Sequence, residues 1–144
     1  LLPTGDHVVN LADICAPDGT VLFRASELAC RATGTGILAP GFAEHLRNLR
    51  LAWGRPMTVT SCCRSAAHNA AIKGNAHSLH VYDQPYHPVG GTAAIDIAVT
   101  DVSHRWQIGK VAYALGWSIG VPKAGFIHLD RRDLAGLSPG LFGY

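Results

Sequence analysis

Residues 77 to 99 read HSLHVYDQPYHPVGGTAAIDIAV, three histidines followed by an aspartate inside an apolar run. A carboxylate among apolar neighbours is costly to bury unless it is paired, heavily hydrogen-bonded or bound to a cation. Asp96, in AAIDIAV, is placed in that way and demands a partner, either a metal or an arginine. Further on, FIHLD sets His128 in a second apolar run, and His80 closes the tripeptide SLH. Two imidazoles and one carboxylate leave a coordination position open for water, the arrangement of catalytic zinc sites. Structural zinc closes all four positions, usually with cysteine. Neither histidine motif is specific alone, because the chain has eight histidines; the reading rests on His80, Asp96 and His128 together.

The elements that must bring these residues together can be read from the same chain. In AAIDIAV successive side chains alternate, so Ile95, Ile97 and Val99 point one way and Ala94, Asp96 and Ala98 the other. Phe42, Leu46, Leu49 and Trp53 fall on one face of a helix that begins near Pro40 and stops at Gly54. PMTVTSC reads as a strand, and Ser65 can cap a short helix through AAHNAAIK that Gly74 ends, with Arg64 at the junction. Ser103 is placed to cap another helix, with Ile108, Val111, Ala112 and Leu115 on one face and Gly116 as its stop. Two short strands follow, WSIGV and FIHLD. Residues 1–26, punctuated by PTGD and APDGT, read as an irregular arm wrapping the domain. Helices and strands do not alternate regularly enough for a doubly wound sheet. The expected fold is therefore one α+β domain over residues 1–144, a small, largely antiparallel sheet with flanking helices.

Bulk composition narrows the function. Of 144 residues 48% are apolar and only 15% charged, which excludes disorder and implies a real core. A net charge of +2 without aromatics between the arginines gives no nucleic-acid footprint. No run is long enough for a membrane span, and LLPTGDHVV lacks the pattern of a signal peptide. Cys15, Cys30, Cys62 and Cys63 lack zinc-finger spacing. Cys62 and Cys63 read as small packed groups, and Cys15 with Cys30 would permit a disulfide.

SLH followed by AAIDI and then SIGVPKAGFIHLD resembles the zinc D-alanyl-D-alanine carboxypeptidase family, whose members cut peptidoglycan stem peptides and share a fold with the Hedgehog signalling domain. SELAC, the helix before RPMTVTS, and SCCRSAAHN are similar to upstream parts of that family, the last to its Ser-x-x-Arg element. The likeness runs from about Phe23 to Arg132, with bacterial and phage-borne, endolysin-like members the most similar. The resemblance implies Zn2+ held by His80, Asp96 and His128, Arg64 near a substrate carbonyl or carboxylate, and a zinc-activated water as nucleophile. It implies peptidoglycan stem peptides as the partner and the cell wall as the place of action, with a monomer expected.

Two departures shape the expectations. Fifteen residues separate His80 from Asp96, more than the family's spacing, so a stretch of roughly YDQPYHPVG reads as an insertion. It brings His77 and His87 near the same site and leaves the ligand open between them and His80, which keeps the Ser-x-His context. Val81 to Gly91 is expected to face substrate, with Ser78 and His87 as contacts. Gly125 stands where many members have an acid, three before the last histidine. Asp130 is expected to take that acid/base role, the alternatives being to orient a ligating histidine or to pair with Arg131 or Arg132. The implied reaction is D,D-carboxypeptidase trimming or endopeptidase cleavage at L-Ala-D-Glu or at crosslinks. The alternative function is a non-catalytic zinc-containing domain of the same fold that binds cell wall or protein.

Overall fold

The computed structural model describes residues 9–83, 90–123 and 125–144. In chain order its strands are β1 (Val9–Asn10), β2 (Ile14–Cys15), β3 (Val21–Phe23), β4 (Ile37–Leu38), β5 (Val59–Ser61), β6 (Ala94–Ala98), β7 (Ser118–Val121), β8 (Phe126–Asp130) and β9 (Leu141–Gly143). The helices are α1 (Ala25–Leu28), α2 (Phe42–Trp53), α3 (Ala66–Ala71) and α4 (Val102–Ala114), with a 3-10 turn over Arg132–Ala135. The main sheet has the order β5-β6-β8-β7-β9, antiparallel except where β9 runs parallel to β7. This is the α+β architecture, with a largely antiparallel sheet, that the sequence led us to expect.

Local sequence explains the elements that frame the sheet. Helix α2 buries Phe42, Leu46 and Leu49 completely, the apolar stripe at helical spacing, and leaves through Gly54 at φ 75°. Helix α4 starts two residues earlier than its expected cap would allow. Asp101, not Ser103, is the cap, its carboxylate accepting the His104 N–H at 2.7 Å. Ile108 and Ala112 of α4 are buried, and Ile95, Ile97, Ile127 and Leu129 of β6 and β8 complete one continuous core.

Ahead of α2, β1 pairs with β4, and β2 with β3 forms a hairpin that inserts Ile14 and Phe23 into the core. All four cysteines are free thiols, so the Cys15–Cys30 pairing is not formed. Cys62 and Cys63 are buried and pack with the core, as small apolar groups do. No helix among the described residues is long and apolar enough to cross a membrane.

Candidate metal centre

Register places the acidic and imidazole groups together. β6 and β8 pair so that Asp96 lies opposite His128 and Ala94 opposite Asp130, while β7 sets Gly120 beside His128 and Ser118 beside Asp130. Directly opposed residues share a face. One face of the sheet therefore carries Asp96, His128 and Asp130, and the other sends Ile95, Ile97, Ile127 and Leu129 into the core. His80 arrives from the segment after α3. Its carbonyl accepts the Arg64 N–H at 2.9 Å and the Thr92 hydroxyl at 2.8 Å, and its own N–H donates to Ser78 Oγ at 3.2 Å. Ser78 thus braces the backbone of His80, a physical reason for serine two residues before it.

His80, Asp96 and His128 are all buried, and one ligand atom from each lies within 4.8 Å of the others. Asp96 Oδ1 sits 3.2 Å from His80 Nε2 and 2.9 Å from His128 Nδ1. The opposite nitrogen of each ring is already committed. His80 Nδ1 is 2.7 Å from the Cys62 carbonyl, which only accepts, so that nitrogen carries the proton. His128 Nε2 is 2.8 Å from Asp130 Oδ2 and donates to it. In the neutral rings the nitrogens facing Asp96 are then bare lone pairs, aimed at a carboxylate oxygen. Three electron-rich atoms converging in a buried place could hold a cation between them, and two imidazoles with one carboxylate are a donor set that suits zinc.

The electrostatics agree. Burial alone would raise the Asp96 carboxyl, but the His128 and His80 imidazoles against its oxygen hold it well below the usual carboxylate range. Burial pushes the His80 imidazole down despite Asp96, so it stays neutral. For His128 burial is outweighed by the hydrogen bonds to Asp130 and Asp96, which raise it above the ordinary imidazole value. A proton on His128 is what the two carboxylates attract when no metal is between them.

Asp130 reaches the ring nitrogen of His128 that is turned away from Asp96. Its oxygens also accept from Arg132, at 2.9 Å from Nε, 2.8 Å from the NH2 nitrogen and 3.1 Å from the backbone N–H. Burial raises its carboxyl, yet the Arg132 and His128 hydrogen bonds bring it below the ordinary value. Arg64 is held by Ser61 Oγ (3.1 Å) and Asn69 Oδ1 (3.2 Å), and its NH2 nitrogen lies 3.5 Å from Asp96 Oδ2.

A cleft of about 530 Å³ opens over this face, lined by Arg64, His77, Ser78, His128, Asp130 and Tyr144 among others. His77 is on its exposed side, while His80 is the histidine beside Asp96. His87 lies outside the described residues, as do all of 84–89. The ends of the expected substrate-facing stretch are buried instead: Val81 bridges to Arg64, and Gly91 packs on Leu38 and Ala39. A larger apolar hollow, about 900 Å³, lies against the opposite sheet face between α4 and β7, lined by Trp106, Tyr113, Ile119 and Ile127. Its titratable lining groups are Arg105, Lys110 and Tyr113, a set with no acid or imidazole to ligate a metal.

The pairing of Asp130 with Arg132 is one of the alternatives the sequence offered for Asp130, whereas two residues at the site were not expected from the sequence, Asn69 and Tyr144. Asn69 left a signal, a polar residue four after Ser65 on the face α3 buries; Tyr144 left none that periodicity detects. A family model described as Peptidase M15 matches residues 21–130. No curated protein matches the chain.

Proposed function

We propose that this chain, which belongs to the peptidase M15 family of zinc-dependent metallopeptidases, hydrolyses peptide bonds in peptidoglycan stem peptides at the cell wall. The observation that carries the reading is the convergence of His80 Nε2, Asp96 Oδ1 and His128 Nδ1 with their opposite sides already hydrogen-bonded, at the base of a cleft. Peptidoglycan enters through the resemblance of SLH, AAIDI and FIHLD to the D-alanyl-D-alanine carboxypeptidases. The bond is either the terminal D-alanine linkage or an endopeptidase site at L-Ala-D-Glu or a crosslink.

His80, Asp96 and His128 would hold the zinc, which when bound supplies a Lewis acid and water with a pKa near 7. The remaining roles belong to the chain. Cys62 and Asp130 fix the two imidazoles in the tautomers that ligate, and Asp130 is a positioning residue here because its oxygens are occupied by His128 and Arg132. Arg64, clamped by Ser61 and Asn69, offers a planar cation to a substrate carbonyl or carboxylate.

The test joins metal and product. Anomalous scattering at the zinc edge should show one ion between the three ligands, and mass spectrometry of muropeptides from digested peptidoglycan should identify the bond cut. Zinc in place with no bond cut would favour the non-catalytic binding domain, and metal held elsewhere would refute both.

A further inference from the structure

Strand β9 and the residue that follows it bring two aromatic rings, Phe142 and Tyr144, to the metal-centre face. The Tyr144 ring stacks on the His128 imidazole, with centroids 4.5 Å apart and planes 21° apart. Phe142 meets the same imidazole at 5.8 Å, and the Arg132 guanidinium carbon lies 4.3 Å from the Phe142 ring centre. Gly120 makes this possible. A Cβ there would sit 2.7 Å from Phe142, 3.0 Å from Tyr144 and 3.1 Å from His128, so any side chain would push the rings off.

Covering His128 needs only a ring, and phenylalanine would serve. Tyr144 adds a hydroxyl, on a residue 51% exposed and lining the cleft, close enough to interact with the Arg64 guanidinium and the Asp96 carboxylate. Two donors of different kinds, a phenol and a guanidinium, thus border the mouth of the three-ligand cluster from separate parts of the chain, the end of β9 and the β5–α3 junction.

Resting on the peptidase reading above, we infer that the Tyr144 hydroxyl is a catalytic donor, paired with Arg64, to the carbonyl oxygen of the bond being cut. As the water oxygen bonds to the carbonyl carbon, the C=O π pair moves onto that oxygen, and both donors strengthen their hydrogen bonds to it. When C=O re-forms, the C–N bond breaks with its electron pair on nitrogen, which leaves as the amine carrying the proton released by the water. Tyr144 keeps its own proton throughout. Such a donor acts on the tetrahedral state far more than on the planar one.

The experiment compares the zinc-loaded wild type with Tyr144→Phe and Tyr144→Leu. Calorimetry measures binding of a phosphinate analogue of the bond the wild type cuts, and of the cleaved product peptide. In Tyr144→Phe, zinc content, melting temperature and product binding should match wild type, while turnover and phosphinate affinity fall together by about 100-fold. Wild-type phosphinate affinity in Tyr144→Phe overturns the inference, and with a defect confined to Tyr144→Leu it reduces the role to cover for His128. Loss of zinc in Tyr144→Phe also overturns it, in favour of a role in metal retention. A wild type that binds zinc yet cuts no stem peptide removes the peptidase reading and this one with it, whereas an active wild type with an unaffected Tyr144→Phe removes this one alone.

Discussion

Asp130→Asn tests whether Asp130 positions His128 or moves protons itself. The carboxylate accepts four hydrogen bonds: Oδ2 from His128 Nε2 and from an Arg132 NH2 group, Oδ1 from Arg132 Nε and from the Arg132 backbone. An asparagine keeps one oxygen and replaces the other with a donor, and neither orientation serves all four. With nitrogen toward His128, that ring must carry its proton on Nδ1, the atom needed for metal. With nitrogen toward Arg132, three N–H groups crowd a buried place, and each unsatisfied one costs about 1–3 kcal/mol. Loss of such a partner behind a ligating imidazole typically weakens metal binding by about 10- to 100-fold, or roughly 1.4–2.8 kcal/mol. Chelator competition gives the zinc affinity, and turnover is followed on the same samples across pH. Full zinc affinity with turnover abolished would refute the positioning argument and return Asp130 to acid/base chemistry; full affinity with normal turnover would leave it no role in the site.

Zinc supplied at about 100 times its Kd should stabilise the metal-free protein by about 2.7 kcal/mol, a melting shift of roughly 5–10 °C, and Asp96→Ala should abolish the shift while His68→Ala on α3 preserves it. Zinc affinity should rise with pH through the elevated range of His128, because binding expels the proton held there. The metal-free protein should lose stability at both ends of a pH series of thermal melts. Asp96 and Asp130, lowered in the fold, contribute fully above about pH 4 and lose that contribution as pH falls through their folded values. His128, raised in the fold, contributes fully below about pH 6.5 and loses its share as pH climbs past its folded value; bound zinc should erase that alkaline loss. Arg64→Lys should cut turnover by about 10- to 100-fold with little change in melting temperature, since lysine keeps the charge but not the fork held by Ser61 and Asn69. Gly91→Ala should destabilise by about 1–3 kcal/mol or more, because φ is +89° and a Cβ would lie 2.5 Å from the Leu38 and Ala39 backbone. Gly54→Ala, at φ +75° with nothing within 4 Å, should cost less when both variants are unfolded by denaturant titration.

What was legible in the sequence follows from how each signal is encoded. The α2 stripe and the β6 alternation are local and repeated, so periodicity shows both the elements and the face that Asp96 occupies. A lone carboxylate between isoleucines is legible for an energetic reason: the cost of burying it is enough to imply a partner. The partner's identity is not local. That His128 answers Asp96 depends on the β6–β8 register, and that His80 rather than His77 does so depends on the Thr92 hydroxyl and Arg64 amide grasping the His80 carbonyl. The resemblance supplied those choices where physics of the bare sequence left them open.

β9 shows the limit most clearly. LFGY is four residues long, glycine-interrupted and mostly exposed, with none of the alternation that marks a half-buried strand. It pairs because Gly140 N–H finds Ser118 Oγ and the Gly140 carbonyl finds the Ile119 amide, contacts across more than twenty residues that no window can see. The same holds for Gly120 in WSIGV. In the sequence it weakens a strand, and glycine in a strand interior ordinarily marks a bulge or a close approach without saying of what. Here the approach is of two aromatic rings to His128, so the residue that lowered the strand signal is the one that lets β9 close over the metal-centre face. Local propensity and the demands of the site disagree at this position, and the site prevails because the sheet supports β7 from both sides, through β8 and β9.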